Sequence, residues 1–338
     1  MVMARTTWHL DPMTKLRDAF EASQIAIYFG AIIAALGVAL MVPGVEALEA
    51  AITPALAVML FVTFLQVPLR DLGQALGRVR FLAALLITNF VAIPLLAALL
   101  VQVLPPDPLV RLGVLLVLLT PCIDYVVTFS HLGRANAHLL LAATPLLLIV
   151  QLLLLPVYLR AFLGEDAARL VQPGPFLHAF LWLIVVPLLL AVAVQIWAGR
   201  SRAGAQTATG LGVLPVPATA VVLFVVIAAV VPQLGEAGWK VARVVPVYVA
   251  FAVAAPLIGW GVGRLFRLDA PTGRALAFSA ATRNSLVVLP LAFAVPDAAP
   301  LLPAIIVAQT LVELASELAY VRLVPKLGAA ASTSLQQS

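Results

Sequence analysis

The sequence has few charged residues and only one cysteine. Charged residues make up 10% of it, against about 25% in globular proteins, whereas 63% of its residues are hydrophobic. The single cysteine, Cys122, excludes a disulfide framework and a metal site built from paired cysteines. The basic residues are scattered, so the net charge of +5 forms no basic patch for nucleic acid. We therefore predict a membrane protein that crosses the bilayer many times and has no nucleic-acid partner.

A long apolar run is also missing before Ile25, which excludes a cleavable signal peptide. Residues 1–23 are predicted to be a cytoplasmic segment, in which Met13, Leu16 and Phe20 would share one face of a helix. That helix is expected to lie on the membrane surface, and an unstructured tail is the alternative.

Ten apolar runs are long enough to cross a bilayer, which takes about 20 residues per helix. Proline, glycine or charged residues separate them. The predicted spans are 24–42, 48–68, 82–104, 109–131, 137–159, 176–197, 212–232, 242–263, 274–295 and 301–323.

The basic residues predict the orientation of these spans. With ten spans, the two termini and the loops after spans 2, 4, 6 and 8 lie on one side, and they hold fourteen Lys and Arg residues. The opposite loops hold five, namely Arg111, Arg160, Arg169, Lys240 and Arg243. Because cytoplasmic loops carry the excess of Lys and Arg, both termini are predicted to be cytoplasmic. The membrane is predicted to be the plasma membrane.

The spacing of the spans predicts an internal repeat. After the first pair, each span of the second half begins about 160 residues after its counterpart in the first half, and an odd number of spans per half inverts the second copy. We predict two inverted five-helix repeats at 24–160 and 176–323, followed by a cytoplasmic tail at 324–338.

Two spans in corresponding positions are interrupted by polar residues. Span 4 contains "TPCID" and span 9 contains "SAATRNS". Proline removes a backbone donor, and short polar side chains stabilise non-helical turns. We predict non-helical backbone at Pro121 to Cys122 and at Thr282 to Ser285, with the two segments crossing near the centre of the membrane. The alternatives are a simple kink at Pro121 and a buried apolar role for Cys122.

Charged side chains inside a membrane need partners, because each costs about 2.5–3.5 kcal/mol at the bilayer centre. We predict an ion pair between Asp124 and Arg283, which would mark the site even if the two residues only neutralise one another. Glu313 and Glu317 are four residues apart and share a face of span 10. They are predicted to carry a proton, the alternative being capping and packing at a polar seam.

Three segments carry a family resemblance. The stretches "TPCIDYVV", "AATRNSLVVLPLAFAV" and "LVELASELAYVRLVP" resemble the fourth, ninth and tenth spans of the bile acid/sodium symporter superfamily, and within it of the arsenite efflux permeases of the arsenical-resistance type. The resemblance covers nearly the whole chain. It implies an all-α membrane fold of ten transmembrane helices, in two inverted five-helix repeats with helices 4 and 9 broken and crossing.

The resemblance also implies functional residues. Cys122 falls on the functional cysteine of those permeases, Asn284 on an asparagine and Glu313 on a glutamate. The chain departs from them at Leu286, where they carry a glutamate, and at Arg283, where they carry an uncharged polar residue. Ser279 and Arg283 also replace the acid and the glutamine of sodium-coupled members, so no sodium site of that design is expected.

These observations predict a secondary-active antiporter for proton-coupled arsenite efflux. The alternative is a transporter of an organic anion, with Arg283 as its anion ligand. The substrate-binding candidates are Pro121, Cys122, Asp124, Arg283, Asn284 and Ser285, and the proton-coupling candidates are Asp124, Glu313 and Glu317. An enzyme is not expected, because Cys122 and His131 would lie roughly 13 Å apart along a helix. No cofactor or metal is expected.

Overall fold

The computed structural model describes residues 12–67, 77–123, 125–164, 173–235 and 238–328. Within these ranges the chain forms thirteen helices, some of which contain a π-helical turn. They are α1 (Pro12–Met41), α2 (Glu49–Leu65), α3 (Val79–Ile87, Thr88–Ala92 and Ile93–Val101), α4 (Pro108–Leu118), α5 (Val126–Leu132), α6 (Ala137–Leu163), α7 (Pro173–Phe180, Leu181–Val185 and Val186–Ala198), α8 (Arg202–Leu211), α9 (Pro215–Val230), α10 (Gly238–Leu265), α11 (Ala270–Ala281), α12 (Ser285–Phe293) and α13 (Leu301–Leu323).

Eight helices of the described residues are long and apolar enough to cross a membrane, namely α1, α2, α3, α6, α7, α9, α10 and α13. This confirms that the protein passes through a membrane several times. The other two predicted spans fall on the helix pairs α4–α5 and α11–α12, whose members are each too short to cross alone. The ten-span count and the inverted repeat stay predictions.

The first helix is longer than the first predicted span, 24–42. Helix α1 begins at Pro12 and continues without a break to Met41, so residues 12–23 extend the first spanning helix. Helix α8 was not predicted from the sequence. It begins after Ser201, whose hydroxyl accepts a hydrogen bond from the main-chain N–H of Gly204 at 2.9 Å.

The helices pack in two groups. In the first group α9 packs against α1 and α2, and α2 packs against α7. In the second group α3 to α6 pack with α10 to α13. Helix α13 contacts both groups and is the most enclosed of the eight spanning helices, with 72% of its apolar window buried, against 22% for α7. In the second group α10 and α11 approach closely, since a Cβ atom on Gly259 would lie 2.5 Å from the carbonyl oxygen of Leu276. Because α13 is enclosed by both groups, its polar residues lie inside the molecule.

Proline shapes α3 where it passes the centre of the second group. Pro94 cannot donate a hydrogen bond to the carbonyl of Phe90, which instead accepts one from the Tyr158 hydroxyl at 2.5 Å. The π-helical turn Thr88–Ala92 precedes this proline. It brings Asn89 into contact with α11, where the side-chain amide donates to the Ser279 hydroxyl at 2.9 Å.

Candidate functional site: the contact between two helix interruptions

The interruptions in the fourth and ninth predicted spans contact one another through their main chains. Pro121 and Arg283 form an isolated antiparallel β-bridge. The N–H of Cys122 donates to the carbonyl of Thr282 at 3.1 Å, and the N–H of Asn284 donates to that of Thr120 at 2.8 Å. The prediction of non-helical backbone is confirmed for Pro121, Cys122 and Thr282 to Asn284. It was wrong for Ser285, which is the first residue of α12.

A threonine ends the helix before each interruption. The Thr120 hydroxyl lies 3.0 Å from the carbonyls of both Leu116 and Val117 at the end of α4, which share its one hydrogen. The Thr282 hydroxyl lies 2.8 Å from the carbonyl of Phe278 at the end of α11. At Thr120 the main-chain N–H donates to the carbonyl of Val117 at 3.1 Å, and the hydroxyl is a further donor at this helix end. At Thr282 the main-chain N–H donates to the carbonyl of Phe278 at 3.0 Å, so the hydroxyl is a second group next to that oxygen. The spacing of the two threonines agrees with the repeat predicted from the sequence.

Arg283 is completely buried and its guanidinium contacts neutral oxygen atoms. Nη2 donates to Asn89 Oδ1 at 2.9 Å and to the carbonyls of Ser279 at 2.5 Å and Ala280 at 2.9 Å. Nη1 lies 3.4 Å from the carbonyl of Leu118. Among the described residues no carboxylate forms a salt bridge with this guanidinium. Asp124 lies outside the described residues, so its predicted pairing with Arg283 stays a prediction.

Glu313 accepts three hydrogen bonds. Its Oε1 accepts from the Tyr125 hydroxyl at 2.5 Å, and its Oε2 accepts from the main-chain N–H of Arg283 at 2.7 Å and from Gln309 Nε2 at 2.5 Å. An ionised carboxylate only accepts hydrogen bonds, whereas a protonated one must also donate. The three donors therefore suit the ionised form of Glu313, next to the positive charge of Arg283.

Glu317 has a different environment, although it is one turn away on the same face of α13. Its Oε1 lies 2.7 Å from the Thr282 hydroxyl, and its Oε2 has no hydrogen-bond partner among the described residues. The Thr282 hydroxyl has one hydrogen and two acceptors within reach, Glu317 and the carbonyl of Phe278. If it donates to the carbonyl, Glu317 satisfies the contact by donating its own proton. The geometry suits a carboxyl group that is protonated part of the time.

The remaining described candidates lie in the same contact. Cys122 is completely buried, and Pro121 precedes it in the bridge. Asn284 follows Arg283, and its Nδ2 has no hydrogen-bond partner among the described residues. The Ser285 hydroxyl donates to Gln309 Oε1, which connects α12 to α13. The structure thus brings together every described residue that the sequence singled out.

Three residues of the site were not predicted as site residues. Asn89 and Tyr125 touch Arg283, and Gln309 touches Glu313. A signal existed for Gln309, because Gln309, Glu313 and Glu317 recur every four residues on one helix face. Asn89 was identifiable only as a polar residue in an apolar span.

A small cavity lies between Tyr125 and the first helix group. Its volume is about 40 Å³, and its lining includes Gln24, Thr63, Tyr125 and Thr219. Holding one water takes about 10–15 Å³ by this kind of measure, so the cavity has room for a few waters. Tyr125 thus contacts both this cavity and Glu313, to which its hydroxyl donates.

Comparison with known proteins identifies the family. Residues 53–237, more than half of the chain, match the Sodium Bile acid symporter family. The chain belongs to the Sodium Bile acid symporter family. It is therefore a multi-pass membrane transporter with a small-molecule substrate. The match contains the first interruption and ends before the second, so Arg283, Glu313 and Glu317 lie outside it. No curated protein matches the chain.

Proposed function

We propose that this family member is a secondary-active exporter of trivalent arsenic that exchanges it for protons across the plasma membrane. Its ten spans would form two inverted halves, with both termini in the cytoplasm. The excess of Lys and Arg on one side of the predicted topology supports the orientation. The matched threonines and the bridge between the two interruptions support the two halves.

The position of Cys122 carries the proposal. The chain has one cysteine and places it in the non-helical turn that contacts the second interruption. A thiol can condense with arsenous acid, forming an arsenic–sulfur bond while the thiol proton and one hydroxyl leave as water. The guanidinium of Arg283 lies close enough to Cys122 for an electrostatic interaction with it.

Proton exchange is proposed for the carboxyl groups, with Glu317 as the first candidate. Glu313 is held by three donors, whereas Glu317 has an oxygen without a partner among the described residues and can gain or lose a proton with less rearrangement. Asp124 remains a candidate for both proton coupling and substrate binding on sequence grounds. The cavity beside Tyr125 would connect the carboxyl groups with the cytoplasm.

The organic-anion alternative receives less support from the geometry. In that hypothesis Arg283 is the main ligand of the substrate, but its guanidinium donates to four oxygen atoms of the protein. An organic anion would have to compete with these bonds for the guanidinium before Arg283 could bind it.

The decisive experiment replaces Cys122 in an arsenite-sensitive bacterial host. The wild-type chain should lower intracellular arsenic, whereas Cys122→Ser should leave it at the level of the empty vector because it removes the arsenic ligand. Thr120→Ser is the matched control, since it changes the neighbouring residue but keeps its hydroxyl. Immunoblots of membranes must show equal amounts of the three proteins.

Two outcomes of this experiment would contradict the proposal, and a third result would favour the organic-anion alternative. Full resistance with Cys122→Ser, or no resistance with the wild type, would exclude arsenic binding by the thiol. Loss of transport of a test organic anion with Arg283→Gln, together with unchanged transport by Cys122→Ser, would favour the organic-anion alternative.

The proton role is tested separately with Glu317→Gln in vesicles. The amide cannot release a proton, so arsenite accumulation driven by a pH gradient should fall about tenfold or more. Movement of arsenite down its own gradient should persist. If gradient-driven accumulation survives, Glu317 is not the proton carrier.

A further inference from the structure

The guanidinium of Arg283 occupies a cage of oxygen atoms at the ends of two helices. Around Nη2 lie Asn89 Oδ1, Ser279 O and Ala280 O, at distances from 2.5 to 2.9 Å. Leu118 O lies on the Nη1 side at 3.4 Å. The two carbonyls from α11 and the one from α4 belong to the last turns of their helices, where the negative ends of the helix dipoles meet.

Such an arrangement of oxygens is suited to a monovalent cation. Carbonyl oxygens replace the hydration shell of alkali ions in selective sites, and in secondary transporters the C-terminal ends of broken helices bind the coupling ion. Here a side chain of the protein supplies the positive charge instead. We infer that Arg283 is a tethered substitute for a bound monovalent cation, and that its removal would leave a site for Na⁺ or K⁺.

The charge balance of the site also supports Arg283 as a substitute for a bound cation. Three donors hold Glu313 as a carboxylate in the buried interior, and one of them is the main-chain N–H of Arg283 itself. An uncompensated buried charge is costly, so the negative charge of Glu313 requires a cation nearby. With Arg283 neutralised, an inorganic cation in the cage would restore the balance, because the carbonyls of Leu118, Ser279 and Ala280 remain in place.

The inference predicts that Na⁺ and K⁺ stabilise Arg283→Gln but neither the wild type nor Arg283→Lys. The wild-type protein should unfold at the same temperature in NaCl, KCl and choline chloride of equal ionic strength. Arg283→Gln should unfold at a lower temperature in choline chloride, and Na⁺ or K⁺ should raise it by roughly 5 °C over a hundredfold range of concentration. Arg283→Lys keeps a tethered cation and should respond to none of the salts.

A double variant tests whether the cation binds in the cage. Asn89 provides its only side-chain oxygen among the described residues. In the Arg283→Gln background, Asn89→Ala should therefore shift the salt response to about tenfold higher cation concentration. Free guanidinium chloride at millimolar concentration should stabilise Arg283→Gln as well, because it restores the lost group.

Thermal unfolding of the purified proteins tests the cation inference without arsenic. Its result is therefore independent of the resistance experiment that tests the proposed function. Stabilisation of the wild type by Na⁺ or K⁺ over choline would overturn the inference, and this test stands even if Arg283→Gln is not recovered. A recovered Arg283→Gln protein that responds equally to choline, Na⁺ and K⁺ would overturn it too. Cation stabilisation of Arg283→Gln that moves to about tenfold higher cation concentration in the Asn89 double variant would support it.

Discussion

The interruption after α4 and the interruption after α11 have the same main-chain form but different side chains. Each begins with a threonine whose hydroxyl bonds to the end of the preceding helix, and each donates one N–H to the other. The first interruption contributes Pro121 and Cys122 to the bridge. The second contributes Arg283, whose side chain and main chain contact α3, α4, α11 and α13.

The two interruptions differ in the roles of their side chains. Those of the second form a buried hydrogen-bond network, whereas the first contributes Cys122, the proposed arsenic ligand. The second interruption is held by a network of buried hydrogen bonds that includes Asn89, Glu313 and Glu317. Its residues therefore contribute to folding as well as to any transport role. In the first interruption Cys122 bonds to the network through its main-chain N–H, which a substitution of its side chain preserves.

The largest expected effect comes from removing the charge of the second interruption. Arg283→Met keeps much of the side-chain volume but leaves the four oxygens without their donors and Glu313 without a compensating charge. In choline chloride it should lower the free energy of unfolding by about 3–5 kcal/mol. Arg264→Met is the control, because Arg264 is exposed at the end of α10 and its loss should cost less than about 0.5 kcal/mol. Equal losses in the two variants would show that the buried network adds no stability.

The two glutamates should differ in the next largest effect. Glu313→Gln places an amide group against three donors, and loss of hydrogen bonds to a charged group should cost about 2–3 kcal/mol. Glu317→Gln presents N–H donors and an acceptor oxygen, so like a protonated carboxyl it can both donate and accept, and it should cost less than about 1 kcal/mol. Denaturant titration of both proteins in one detergent measures the difference. A larger loss for Glu317→Gln would reverse our assignment of the ionised and protonated carboxyl groups.

Much of this comparison was predictable from the sequence, because the causes of a helix break are local. Pro121 lacks an N–H, the threonines have hydroxyl groups that bond to nearby carbonyls, and the long apolar runs define the spanning helices. Helix α13 begins and ends at the residues predicted for the tenth span, 301 and 323.

The partners of Arg283 were not predictable in the same way. The sequence shows charges, and it therefore pointed to a pair with Asp124. The described acceptors of the guanidinium are main-chain carbonyls and one amide, and a carbonyl acceptor leaves no mark in a sequence because every residue has one. Asn89 reaches Arg283 through a π-helical turn beside Pro94, which depends on how α3 packs.

The two threonines that precede the interruptions should differ in a smaller effect on stability. Thr282→Val removes the hydroxyl that contacts Glu317 and should cost about 1–2 kcal/mol, because it leaves a second buried oxygen of that carboxyl group unpaired. Thr120→Val removes hydrogen bonds to two main-chain carbonyls only and should cost about 0.5–1 kcal/mol. Valine has nearly the shape of threonine, so packing changes little in either case. Parallel unfolding titrations that rank Thr120→Val as the more harmful variant would mean that the first interruption depends on its side chains more than the second does.

The smallest expected effect concerns the aspartates that precede the N-terminal ends of α4 and α11. Asp107 precedes α4 and accepts hydrogen bonds from the N–H groups of Leu109 and Val110, and it forms a salt bridge with Lys240 at 2.7 Å. Asp269 precedes α11 in the same way but makes no such cap. Partial burial alone would raise the pKa of Asp107, but Lys240 and the two N–H groups lower it below its ordinary value of 3.8.

A carboxyl group with a lowered pKa in the folded protein stabilises it at higher pH. The contribution of Asp107 is fully present above pH 3.8 and is lost as the pH falls through the lower pKa of the folded state. Because the pair with Lys240 is partly exposed, the contribution should be less than about 1 kcal/mol. Asp107→Asn keeps a capping oxygen and loses the charge, so its difference from the wild type in unfolding free energy should shrink between pH 6 and the lowest pH at which both proteins stay folded. Asp269→Asn, with no cap to lose, serves as the control, and a difference for Asp107→Asn that stays constant with pH would assign the contribution of Asp107 to its hydrogen bonds instead of its charge.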